Sequence, residues 1–114
     1  CDLVLDQFQL GVFGLITPKA MACSKPVLTS YDKSLNNWCF SEHPPVVSCR
    51  EVGEIYERMV DLYNRRSKRI EIGRSYRTWI LKEYSKSRVT KTLLDAMKSA
   101  QESFARKKWL KNST

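Results

Sequence analysis

Two short apolar runs, separated by a glycine turn and a brief helical stretch, limit this chain more than any other feature. Leu3-Val4-Leu5 within Asp2–Phe8 suits a strand buried on both faces of a parallel sheet, and Pro26–Ser30 reads as a second apolar strand. Between them stand Gly11 and Gly14, then Thr17-Pro18, then Lys19–Cys23, with Ser24-Lys25 as a turn. Glycines at that spacing let the backbone bend sharply and approach another group closely. Thr17 is expected to cap the free amides of the short helix, with Pro18 at its first position. The order strand, glycine turn, helix, strand is a βαβ unit, whose crossover is expected to be right-handed.

After this unit the pattern changes. Tyr31–Pro45 is polar with aromatic islands at Trp38 and Phe40, which predicts a loop with one irregular turn. Val46-Val47-Ser48 reads as a third, very short strand. Ser48 to Glu51 has the spacing of a capping box, Ser48 capping and Glu51 reaching back, so a helix is predicted from there to about Asn64. Its apolar positions Val52, Ile55, Tyr56, Met59, Leu62 and Tyr63 fall at helical spacing and are expected to pack on one face. A second helix is predicted over about Ser67–Glu83, with Ile72, Tyr76, Trp79 and Ile80 inside. A third runs from beyond Ser85 to about Leu110, with Val89, Leu93, Met97, Ala100 and Phe104 in register. The predicted class is α/β: a partial Rossmann-like parallel sheet of about three strands over residues 1–50, then three helices over 51–114, both parts of one domain.

A chain of 114 residues holds at most one small domain. It opens within a predicted strand and without an initiator Met, so it is expected to be a piece of a longer chain whose sheet has further strands. A hydrophobic share of 42% argues against disorder and for a buried core. The longest apolar runs fall far short of the roughly 20 residues of a membrane-spanning helix, and the first residues do not have the pattern of a signal peptide.

The net charge of +8 is unevenly placed. Residues 1–50 carry four acids (Asp2, Asp6, Asp32, Glu42) and four bases (Lys19, Lys25, Lys33, Arg50), so the excess lies wholly in 51–114. Arg65–Lys91 holds ten bases against Glu71 and Glu83. Such a field attracts polyanions: nucleic acid, an anionic membrane or a phosphorylated ligand. A solvated helical face accounts for it equally well. The four cysteines, Cys1, Cys23, Cys39 and Cys49, form no close pair. Only Cys39 with His43 has metal-ligand spacing, so no metal or other cofactor is expected, and free thiols of a reducing cytoplasm are the default. Asn112-Ser113-Thr114 has the form of a glycosylation acceptor, here attributed to chance.

Ligands of open α/β sheets sit beyond the carboxyl ends of the strands, where glycine turns expose amides at helix starts. In this chain that place is Leu10–Thr17. The amides of Gly14, Leu15 and Ile16, with the Thr17 hydroxyl, could donate to phosphate oxygens; a tight turn that binds nothing has the same sequence. His43 is the lone histidine and no nucleophilic triad can be assembled.

Phe13-Gly14-Leu15, followed by Lys19-Ala20-Met21-Ala22-Cys23-Ser24-Lys25-Pro26-Val27-Leu28, resembles the donor-site segment of the retaining, GT-B fold "group 1" glycosyltransferases. Asp2-Leu3-Val4-Leu5-Asp6-Gln7 looks like the strand that enters that segment. Gly73-Arg74-Ser75-Tyr76-Arg77-Thr78-Trp79-Ile80, with Glu83-Tyr84-Ser85, resembles the family's late segment. The resemblance implies a fragment of the C-terminal, nucleotide-sugar-binding domain, inactive until joined to an N-terminal domain that carries the acceptor site. It implies that Gly11, Phe13, Gly14, Leu15, Ile16, Thr17 and Lys19 line the donor diphosphate site. The family often carries two glutamates there, one facing the donor sugar and one the ribose; Gly11 and Lys19 stand at those positions. An ammonium donates where a carboxylate accepts, so a degenerate, non-catalytic copy is the variant reading. Ser24 replaces the customary Gly, and a positive φ there would cost about 1 kcal/mol.

The reading from another class is a binding module built on the basic helices. The basic residues are not interleaved with exposed aromatics, which argues against nucleic acid. An anionic membrane surface would suit an enzyme with a lipid-linked acceptor, cytoplasmic and peripheral.

Overall fold

The computed structural model describes residues 1–112. Ser113 and Thr114 of the acceptor-like tripeptide lie outside the described residues. The chain is α/β, with three short parallel strands and five helices among the described residues: β1 (Val4–Leu5), α1 (Ile16–Ala22), β2 (Val27–Thr29), α2 (Lys33–Asn36), β3 (Val47–Ser48), α3 (Val52–Asn64), α4 (Arg66–Glu83) and α5 (Lys86–Asn112). It divides into two compact units, Cys1–Glu83 and the segment from Tyr84 onward.

The sheet order is β1-β2-β3, with Val4 opposite Val27, Leu28 opposite Val47 and Thr29 opposite Ser48. Pairing of β1 extends past its short ladder: the Asp6 amide donates to Leu28 O at 3.0 Å and the Ser30 amide to Gln7 O at 2.9 Å. The burial on both faces expected of β1 is found in the central strand β2 instead. Val27, Leu28 and Thr29 are at most 1% exposed, whereas Leu5 of β1 is 43% exposed. A strand with a neighbour on one side alone keeps an open edge and less cover.

One core joins Ala20 and Met21 of α1, Val27 of β2, and Tyr76, Trp79 and Ile80 of α4, with Phe13 and Phe40 packed against it. Burial of these side chains is the main stabilising term of the unit. Tyr76 also stitches the sheet: its hydroxyl accepts from the Val47 amide at 3.1 Å and donates to Val27 O at 3.4 Å. Removal from water pushes its phenol pKa up. Trp79 donates its indole N–H to Glu42 O at 3.0 Å, so both large aromatics of α4 satisfy their polar ends. A second cluster, Leu28, Cys49 and Leu62, fills the other face of the sheet, and burial raises the Cys49 thiol pKa.

Gly73 is the close-approach point of the packing. A Cβ there would lie 1.9 Å from Ser24 O and 2.7 Å from Ser24 C. Thus α4 rests directly on the backbone that leaves α1, and Arg77 donates to Ala22 O beside it. Ser24 takes φ 57°, the left-handed conformation whose cost the sequence anticipates.

Several local expectations are corrected. Helix α1 begins at Ile16, with Leu15 at its N-cap and no side-chain cap; Thr17 lies inside the helix, its hydroxyl turned to Asp6. The capping box of α3 is Glu51 with Glu54, not Ser48 with Glu51. Ser48 Oγ instead bridges Tyr31, accepting from its amide at 3.0 Å and donating to its carbonyl at 3.2 Å. The predicted loop contains α2, capped by the Asp32 carboxylate on the Ser34 amide at 2.8 Å. Of the apolar face expected of α3, Leu62 is buried and Ile55 half-buried, while Val52, Tyr56, Met59 and Tyr63 are exposed. Tyr56 and Tyr63 lie about 100° around the helix from the core-facing Ile55 and Leu62, beyond the surface that covers those two.

Candidate functional site

At the carboxyl end of β1, two polar side chains build the turn that leads to α1. Gln7 accepts from the amides of Gln9 (3.0 Å) and Leu10 (2.7 Å) and donates to Ser30 O (3.2 Å) and Val12 O. Asp6 accepts from the Gly14 amide at 3.0 Å and from the Thr17 hydroxyl. Thr17 is fully buried, so this carboxylate satisfies a hydroxyl that water cannot reach. Gly14 makes room for the same contact, since a Cβ there would stand 2.6 Å from Asp6 Oδ1 and the carboxylate would have to shift.

Gly11 is buried at φ +69°, and a Cβ would meet Asp32 Cβ at 3.1 Å and Leu35 Cδ1 at 3.3 Å. Its carbonyl accepts from the Asp32 amide and the Asn36 side chain, each at 2.9 Å. Glycine here is a demand of the backbone, and a glutamate would find neither space nor a comfortable φ.

The turn, the end of β2 and the end of β3 border an open cleft of about 330 Å³, lined by Leu10 and Gly11 from the turn, Tyr31, Asp32 and Lys33 after β2, and Ser48 and Arg50 from β3 onward. Its volume is that of small-molecule sites. Lys33 and Arg50 supply two cations and Asp32 one anion, and hydrogen bonds from Ser34 hold the Asp32 carboxyl below its usual pKa. The arrangement can accept an anionic group while Asp32 accepts from hydroxyl donors.

The structure separates the residues expected to act together. Gly11 lines the cleft. Gly14 and Thr17, two donors assigned to the diphosphate, both bond to Asp6, so an anion approaching the start of α1 meets a carboxylate. Phe13 stacks in an aromatic cluster, 5.0 Å from Tyr31, 6.0 Å from Phe40 and 6.2 Å from Trp79. Leu15, Ile16 and Lys19 are exposed. His43 places Nδ1 2.9 Å from the Tyr31 hydroxyl.

Tyr31, Asp32, Lys33, Ser48 and Arg50 are the cleft residues that the sequence reading passes over. The carboxyl-end rule, applied to all three strands instead of the first, points at positions 30–33 and 48–50. Among the described residues, no three His, Cys, Asp or Glu side chains gather as metal ligands do, and no helix is long and apolar enough to cross a membrane. Comparison with protein-family models, curated proteins and solved structures gives no match.

Proposed function

We propose that the chain is the nucleotide-sugar-binding portion of a glycosyltransferase, part of a GT-B C-terminal domain that transfers a sugar only when joined to an acceptor-carrying domain. The observation that carries the reading is the cleft at the carboxyl ends of three parallel strands, walled by the Gly11 bend and by Lys33 and Arg50. A parallel sheet converges its loops at that end, which is why ligands collect there. The diphosphate lies toward Arg50 and Lys33, whose charges oppose its own, and away from Asp6 at the start of α1. In this reading Asp32 accepts from the sugar hydroxyls, the task that Lys19, exposed on α1, cannot perform.

The test is a titration of the isotope-labelled chain with nucleoside diphosphates, followed by backbone amide shifts. Binding should move the amides of Leu10, Gly11, Tyr31–Lys33 and Arg50, and Arg50→Ala should weaken it about tenfold, the worth of one charge-assisted hydrogen bond. A saturable response centred on Leu15–Lys19 would relocate the diphosphate to the helix start. Absence of any saturable response would remove the donor reading.

A further inference from the structure

Helix α5 forms the second unit of the chain and buries none of its residues. Val89, Leu93, Met97 and Phe104 are 49%, 60%, 59% and 71% exposed. With Ala96 and Ala100 they fall within one sector of about 100° on a helix of 3.6 residues per turn. The opposite sector holds Arg88, Lys91, Asp95, Lys98, Glu102 and Arg106, with Trp109 the one aromatic among them. Over its full length α5 carries eight cations against Asp95 and Glu102, a net +6, which is most of the chain's +8.

The residues beyond Phe104 on the apolar side select the occupant. Positions three, four and seven residues on, where the stripe would continue, are Lys107, Lys108 and Lys111. In a seam between two copies these ammonium groups would face their own kind in a parallel pair and lie in an apolar interface in either orientation, which is costly. Nucleic acid would use the cations but leave the aliphatic stripe in water. At a bilayer surface both parts are used: the stripe enters the boundary of the acyl chains, and the lysine stems lie along it while their ammonium groups reach the headgroups.

We propose that α5 lies in the plane of an anionic lipid bilayer, its Val89–Phe104 stripe inserted and its Arg106–Lys108 end held by anionic headgroups. This docking does not depend on what the cleft binds. The experiment is flotation of the full chain with vesicles of phosphatidylcholine alone and with about 30% phosphatidylserine, at low and high salt. The chain should bind the anionic vesicles, bind neutral ones at least tenfold more weakly, and lose affinity as salt rises. Joint Lys107→Gln and Lys108→Gln should weaken binding about 30-fold, from about a fivefold effect per lysine. Joint Leu93→Gln and Phe104→Gln, which keeps the charge constant, should abolish it, with circular dichroism confirming that each variant keeps its helix content. Undiminished binding by the glutamine variant would reduce the effect to general charge attraction and overturn the proposal. So would failure to bind anionic vesicles, whether accompanied by a dimer in sedimentation or by retention on DNA.

Discussion

Gly73→Ala adds one methyl group to the middle of α4, and its consequence is set by a single distance. The new Cβ would lie 1.9 Å from Ser24 O, whereas ordinary contact begins near 3.4 Å. Helix and turn must therefore separate by about 1.5 Å along that line. Neither partner can swing aside, because one is a helix backbone and the other a turn held by the Ser24 and Lys25 amides on Met21 O and Ala20 O, at 3.0 and 2.9 Å. The shift lifts Tyr76 and Trp79 away from Ala20 and Met21. Overpacking of this kind costs about 3 kcal/mol at the upper end of its usual range. Alanine's better helix propensity returns about 1 kcal/mol, leaving a net loss of about 2 kcal/mol. Urea unfolding followed by circular dichroism should show a midpoint lower by about 2 M, for a slope of about 1 kcal/mol/M. Gly53→Ala is the internal control: nothing lies within 4 Å of a Cβ there, so the same change should stabilise α3 by about 0.5 kcal/mol. If both variants shift the midpoint upward alike, α4 does not rest on the Ser24 carbonyl and the close packing of helix on turn is refuted.

Three further outcomes are expected. Ser24→Gly relieves the φ of 57° and should raise stability by up to about 0.5 kcal/mol, after allowance for glycine's greater unfolded-state entropy; a fall in thermal midpoint would contradict it. Tyr76→Phe leaves the Val47 amide without the hydroxyl that it donates to at 3.1 Å, so chemical denaturation should show a loss of about 1–2 kcal/mol, and an unchanged midpoint would mean that water replaces the hydroxyl. Asp61 bonds Lys68 at 2.6 Å and Arg65 at 2.9 Å, and Lys68 foremost holds its carboxyl below the usual value. A depressed carboxyl stabilises the fold above its unfolded pKa near 4 and loses that contribution as pH falls through the folded value. Asp61→Asn should therefore melt below the parent chain at pH 7, with the gap closing below pH of about 4; a gap independent of pH would assign the effect to packing.

The legible parts of the fold are those set by local pattern. Helices α4 and α5 have their predicted bounds within two residues, and α4 buries Tyr76, Trp79 and Ile80 as its spacing requires. The boundaries that moved are those where a polar side chain had a choice of partner. Thr17 and Ser48 both have the chemistry of helix caps, but Asp6 and the Tyr31 backbone lie closer once the strands align. The candidate site fared similarly. Gly11, Gly14 and Thr17 are singled out by the sequence, and the structure gives each a definite role in the turn. The cleft itself needed Tyr31–Lys33 and Ser48–Arg50, which come beside Gly11 only through pairing of β1 with β2 and β2 with β3.

By itself, then, the sequence determined a βαβ start, three helices and a charge excess confined to them, because apolar periodicity, glycine and capping chemistry act over a few residues. Tertiary structure decided which donors remain for a ligand, which glycines are fixed by contact and which apolar faces stay bare. Those outcomes depend on pairs such as Gly73 with Ser24 and Phe13 with Trp79. Residues so far apart meet only when the whole unit packs, and the hydrogen bonds and burial gained there outweigh what each segment would prefer alone.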